Sequence, residues 1–263
     1  MLLALDLDGT LIESLHPLRP AVIAAVRAAL DAGVRATLVT GRMFSSALPF
    51  VRELGLSGPV VCYQGAVLAD AASGRFERET PLGNAVALRC YEAAKAAGYH
   101  IQFYAEDRFF VEQRNRFAEL YARVSGCEPV VVRSLAETFA DRSSTKVNVI
   151  TDPELTPSAL ELFRDVCGKD AYVTRSNPEF VEMLDPSVDK GRALCDVAAY
   201  HGVPLERVLA IGDSYNDLPL LRVAGFSVAM GSSPPEVRAA ADAVVGDVEH
   251  DGVAEAIGRF VLA

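Results

Sequence analysis

Apolar and polar positions along this chain follow two rhythms. Near the amino end, short apolar runs alternate with amphipathic stretches. Residues 2–6 make an apolar run of strand length. Residues 20–32, PAVIAAVRAALDA, predict an amphipathic helix that Pro20 opens and Gly33 closes. VRATLVT (34–40) is a second strand, and SSALPFVREL (45–54) a helix that Pro49 keeps short or kinked. PVVCYQ (59–64), AVLAD (66–70) and RFERE (75–79) are short strands parted by Gly or Ser-Gly turns. The order is β-α-β-α-β followed by a hairpin.

The rhythm changes after Pro81. Residues 84–98 predict a helix, 100–106 and 108–113 a hairpin, and 114–126 a helix. Then come a strand at 145–151, a helix at 153–168 and a hairpin from 171–176 and 179–185. Helix-strand-strand thus occurs near both ends of this segment, the pattern of an internal duplication in an α+β domain. Beyond residue 187 the first rhythm resumes: helix 190–202, strand 207–213, helix 217–224, strand 226–230, helix 234–241, strand 242–245 and helix 251–261. Strands alternating with helices across short turns predict a parallel sheet covered on both faces. The expected architecture is α/β, with a Rossmann-like parallel-sheet core from 1–81 and 186–263. Residues 82–185 are inserted in it as an α+β domain.

Composition narrows the function. With 51% hydrophobic residues in 263, the chain is built to fold. A net charge of −10 argues against nucleic acid, and no basic stripe interleaves with aromatics. No apolar run is long enough for a membrane span, and the apolar start lacks the basic flank of a signal peptide; the expected location is cytoplasmic. Cys62, Cys90, Cys127, Cys167 and Cys195 are scattered without metal-binding spacing, so free thiols, mostly in cores, are expected. The four histidines show no ligand spacing either.

Ligands of open α/β sheets bind beyond the carboxyl ends of the strands. Three predicted strand ends carry polar residues: Asp6 and Asp8; Thr40-Gly41-Arg42; and Asp213 through Asp217. Alternation puts Asp6 and Asp8 on one side of the backbone, where like charges call for a cation or a shared proton. Asp6, Asp8 and Asp213 offer hard oxygens suited to Mg²⁺. A carboxylate beside Mg²⁺ can attack phosphorus. Thr40 and the backbone around Gly41 could hold phosphate oxygens, Lys190 could neutralise charge, and Asp8 could move protons. Each feature alone has a plainer reading: Asp213-Ser214 as a helix cap, Lys190 as a solvated helix start, Asp217 as a first-turn carboxylate.

Together, DLDGT (6–10), VTGR (39–42), DKGRAL (189–194) and IGDSYNDLPLL (211–221) resemble the haloacid dehalogenase superfamily. Within it the resemblance is to the Cof-like phosphatases with a large α/β cap. AMGSSPPEVRAAADAVV (229–245) and DGVAEAI (251–257) extend the likeness. The resemblance implies a Mg²⁺-dependent phosphatase acting on a small phosphorylated metabolite, sugar phosphates leading, through an aspartyl-phosphate. It implies Asp6 as nucleophile and metal ligand. It makes Asp8 the acid/base, with its backbone carbonyl on the metal, and Asp213 the third ligand. Thr40, Gly41, Lys190 and Asn216 would bind phosphate, Asp217 would support the metal ligands or Lys190, and Arg42 would face substrate or brace its loop. In the cap, Ser176, Asn177 and Glu182 are candidates for leaving-group contacts. Gln64 departs from the family's usual asparagine. Two alternatives stay open: a phosphomutase or phosphotransferase on the same scaffold, and a non-catalytic phosphometabolite-binding protein.

Overall fold

The computed structural model describes residues 1–13 and 16–263. The chain divides into two compact units, one of Met1–Glu77 with Asp189–Ala263, the other Arg78–Val188. The first stretch contributes β1 (Leu2–Leu5), α1 (Pro20–Asp31), β2 (Arg35–Leu38), α2 (Phe44–Leu54), β3 (Pro59–Cys62), β4 (Val67–Asp70) and β5 (Phe76–Glu79). Pro20 occupies the first turn of α1, where a missing N–H costs nothing. Pro49 lies inside α2, which nonetheless runs 11 residues, to a left-handed cap at Gly55. The predicted strand end at Tyr63–Gln64 is instead a tight turn, Tyr63–Gly65, in which both Tyr63 and Gln64 have positive φ.

The second unit contains α3 (Asn84–Ala97), β6 (His100–Ala105), β7 (Arg108–Val111), α4 (Arg116–Ser125), β8 (Val130–Val131), α5 (Leu135–Thr138), β9 (Val147–Ile150), α6 (Thr156–Cys167), β10 (Tyr172–Arg175) and β11 (Phe180–Leu184). Its sheet has the order β10-β11-β9-β6-β7-β8. Alternation sorts the two faces. Ile101, Phe103, Val147, Val149, Val181 and Met183 join the apolar cluster with Ala87, Cys90, Ala159 and Phe163 of α3 and α6. Gln102, Asn148 and Glu182 stand in register across the strands, with side chains of the opposite parity, and all are buried. The sequence pattern missed β8 and α5, elements too short to show a period.

The chain then returns to the first unit with α7 (Lys190–Tyr200), β12 (Val208–Gly212), α8 (Leu218–Val223), β13 (Phe226–Ala229), α9 (Pro235–Ala239), β14 (Ala243–Val244) and α10 (Gly252–Phe260). The main sheet has the order β14-β13-β12-β1-β2, every pair parallel. β1 lies inside it, and Leu2 through Leu5 are wholly buried, as a strand covered on both faces requires. Its neighbours come from opposite ends of the sequence, so the sheet closes only when both stretches are present.

Candidate active site

Register builds the site. Leu5 is level with Leu38 of β2 and Ile211 of β12, so the residues just past these strands emerge together. Asp6 stays on the ladder by donating its N–H to the Ile211 carbonyl at 3.0 Å. The chain then turns sharply, with the N–H groups of Leu11 and Ile12 both donating to the Leu7 carbonyl. Gly9 makes the turn possible: its φ is +84°, and a Cβ there would lie 2.3 Å from the Asp213 carboxylate. The Thr10 hydroxyl donates to Asp213 at 3.3 Å.

Beyond β12 the chain enters a tight turn, Tyr215–Asp217, before α8. Asp217 holds that turn by accepting the N–H groups of Asp213 (2.9 Å) and Ser214 (3.1 Å) on one carboxylate oxygen. Its other oxygen accepts from Lys190 Nζ at 2.6 Å. The same ammonium donates to Asp6 at 2.5 Å. Lys190 begins α7, which is capped by the Asp189 carboxylate accepting from the Arg192 N–H. Lys190, Asp6 and Asp217 are all buried. Lys190 is therefore not a solvated helix start; it is the buried counter-ion of two carboxylates.

One ammonium does not balance this cluster. Oxygens of Asp6, Asp213 and Asp217 lie within 4.8 Å of one another. Burial, then Asp217, push the Asp6 carboxyl up to about 7 despite Lys190. Burial, then Asp6 and Asp217, raise Asp213 well above the carboxylate range. Burial alone would lower the Lys190 ammonium, but Asp217 and Asp6 outweigh it and hold it above its ordinary value. A second cation would relieve the carboxylates. Asp217 has both oxygens committed, which leaves Asp6 and Asp213 as the better side-chain donors to a hard divalent ion.

The β2 side supplies polar groups. Thr40 bonds to Val61 of β3 through its N–H, and its hydroxyl accepts from the Arg42 N–H at 3.1 Å. Gln64 donates its N–H to the Thr40 carbonyl, and its amide packs against Gly41. Asn216 Nδ2 donates to Gln64 Oε1 at 3.1 Å, while Asn216 Oδ1 is buried with no hydrogen-bond partner among the described residues. Gln64 thus joins the Thr40 turn to the Asn216 turn. From sequence alone Gln64 is only a departure from the family's usual asparagine; the polar side chain at the end of an apolar run is the signal of its role. Arg42 turns to Asp8, with Nε and Nη2 donating to its two oxygens at 2.8 and 2.6 Å. The guanidinium also reaches Ser46 and lies 5.3 Å over the Phe50 ring.

Asp6, Asp8, Thr40, Gly41, Arg42, Lys190, Asp213, Asn216 and Asp217 thus all belong to the first unit. Ser176, Asn177 and Glu182 belong to the second. There Glu182 is buried against Lys146 at 2.8 Å and accepts from the Ser176 hydroxyl, while the Asn177 carbonyl accepts from the Phe180 N–H.

Residues 3–257 match the haloacid dehalogenase-like hydrolase family. The chain is 30% identical to the phosphoglycolate phosphatase of Methanothermobacter thermautotrophicus, covering 98% of each. It is 29% identical to the pyridoxal phosphate phosphatase YbhA of Escherichia coli, over 99% of this chain and 98% of that one. Among solved structures, a haloacid dehalogenase-like hydrolase from Bacteroides thetaiotaomicron superposes with a TM-score of 0.84 at 30% identity, covering 98% of each chain.

Proposed function

This chain belongs to the haloacid dehalogenase-like hydrolases, and from that membership we propose a Mg²⁺-dependent phosphatase of small phosphate monoesters that works through an aspartyl-phosphate on Asp6. The observation that carries the reading is the Lys190 ammonium held between Asp6 and Asp217, with Asp213 beside them at the same sheet edge. Asp6 and Asp213 side chains and the Asp8 carbonyl would hold Mg²⁺, which when bound supplies positive charge to the carboxylates and to the phosphoryl oxygens. Asp6 attacks phosphorus, and the bond from phosphorus to the leaving oxygen breaks. Lys190 tempers the charge on Asp6 and keeps it aimed. Asp8 gives its proton to the leaving oxygen, then takes one from the water that attacks the aspartyl-phosphate and releases phosphate. Arg42 holds both Asp8 oxygens at 2.8 and 2.6 Å, and Asp8 gives up one of these bonds to carry the proton. Thr40, the Gly41 backbone and Asn216 receive the phosphoryl oxygens, and Asp217 keeps Lys190 and the Asp213 turn in place. Ser176, Asn177 and Glu182 stay candidates for the leaving-group side.

Phosphoglycolate and pyridoxal phosphate, the compounds in the two relatives' names, share a phosphate monoester and little else. The proposal therefore extends to the monoester class, with sugar phosphates as members. Phosphate release is measured with Mg²⁺ across sugar phosphates, pyridoxal phosphate, phosphoglycolate and an aryl phosphate, with no acceptor alcohol present. Mg²⁺-dependent release from any of them supports hydrolysis. Transfer of the phosphoryl group to an added acceptor, without free phosphate, supports the transferase, and no turnover of either kind supports the binding protein.

A further inference from the structure

Outside the proposed site, one pair of reactive groups stands apart. Cys90 lies in the middle of α3 and Cys167 is the last residue of α6, and their Sγ atoms approach to 3.4 Å. The two helices pack side by side in the second unit, and both cysteines are buried in its apolar cluster. Two sulfurs this close are inside ordinary contact, at 3.4 Å against the ~2.05 Å of a disulfide bond. Phosphoryl transfer as proposed uses neither. We propose that Cys90 and Cys167 form an oxidation site, a dithiol that a small hydroperoxide converts to a disulfide joining α3 to α6.

Exposure divides the roles. The two thiols share a hydrogen bond in which either can be the donor. Cys167, at the end of α6, is 3% exposed and Cys90 not at all, so Cys167 meets the oxidant first and is the attacking sulfur. Its sulfur attacks an oxygen of hydrogen peroxide, the O–O bond breaks, and a sulfenic acid and one water result. The Cys90 sulfur then attacks the sulfenic sulfur, the S–O bond breaks, and the hydroxyl leaves as a second water with the Cys90 proton. Two thiols lose two electrons and one peroxide gains them. Burial selects the oxidant: at 3% exposure Cys167 is closed to a bulky disulfide such as oxidised glutathione, which leaves a small hydroperoxide as the oxidant class.

The full chain, reduced and folded, is treated with hydrogen peroxide near neutral pH, then denatured and alkylated. The expected result is three alkylated cysteines instead of five. A non-reducing digest links the Cys90 and Cys167 peptides, and dithiothreitol restores five alkylated cysteines. Cys90→Ala and Cys167→Ala each abolish the linked peptide. Five alkylated cysteines after treatment, a link through any other cysteine, or sulfinic acid on wild-type Cys167 with Cys90 still free would overturn the proposal.

Discussion

Asp6 has neighbours of both signs, and its proton is the reporter of their balance. Burial, then Asp217, push its carboxyl up to about 7, against an ordinary value of 3.8. Between those values the folded chain binds more protons than the unfolded one, so this group's effect on stability worsens as pH rises through that window. Asp213, the other proposed ligand, is raised as well, so Mg²⁺ held as proposed must displace protons from both, and its affinity is expected to rise with pH by up to about a hundredfold per unit while both are protonated. Calorimetry in buffers of different ionisation enthalpy should detect proton release on Mg²⁺ binding at about pH 6; binding there without proton release would contradict the assignment. Asp8 carries a separate prediction. If it protonates the leaving oxygen, Asp8→Asn slows alkyl phosphates by roughly 10²–10⁴ and an aryl phosphate, whose leaving group needs less help, by much less. Equal losses on both would remove Asp8 from that role. The sequence placed polar residues at the right strand ends because strand ends are legible from where apolar runs stop. It left Arg42 between substrate and loop, since pairing to Asp8 across 34 positions depends on how the two turns fold. Gln64 was opaque for the same reason.

The elements that carry these residues are held by backbone conformations as much as by packing. Gly9 and Gly33 both have φ above +80°, but a side chain at Gly33 meets nothing within 4 Å, whereas one at Gly9 meets the Asp213 carboxylate. Gly33→Ala and Gly9→Ala should each destabilise by about 1–2 kcal/mol from the left-handed backbone. Only Gly9→Ala should also weaken Mg²⁺ binding, by pushing Asp213 aside. Denaturant unfolding and metal titration of the two variants separate these effects; unchanged Mg²⁺ affinity in Gly9→Ala would count against Asp213 as a ligand. Long helices and buried strands were legible from period and from their Pro and Gly boundaries, and α1, α3 and β1 are examples. The turn Tyr63–Gly65 was not, because two non-glycine residues at positive φ run against local preference and are held there by tertiary bonds to Thr40 and Arg42.

Across the whole molecule, the first unit needs both ends of the chain, since β1 pairs with β12 on one side and β2 on the other. The second unit is one continuous stretch with its own apolar cluster. Residues 78–188 expressed alone are expected to unfold in a single cooperative transition, followed by circular dichroism. A broad, non-cooperative melt would show that this cluster is not self-sufficient. The parallel sheet was legible from alternation at both ends of the sequence, whereas strand order required knowing which distant runs pair. The proposed chemistry turns on the buried carboxylate of Asp6, tied to Lys190, attacking phosphorus with Mg²⁺ present. Phosphate release from an aryl phosphate is measured for wild type and Asp6→Ala, each with Mg²⁺ and with the metal chelated, alongside a thermal melt. Release is expected from wild type with Mg²⁺ alone, with turnover lost in Asp6→Ala while its melt stays cooperative. Wild-type turnover by a folded Asp6→Ala would exclude Asp6 as the nucleophile, and full turnover by the chelated wild type would exclude the need for Mg²⁺.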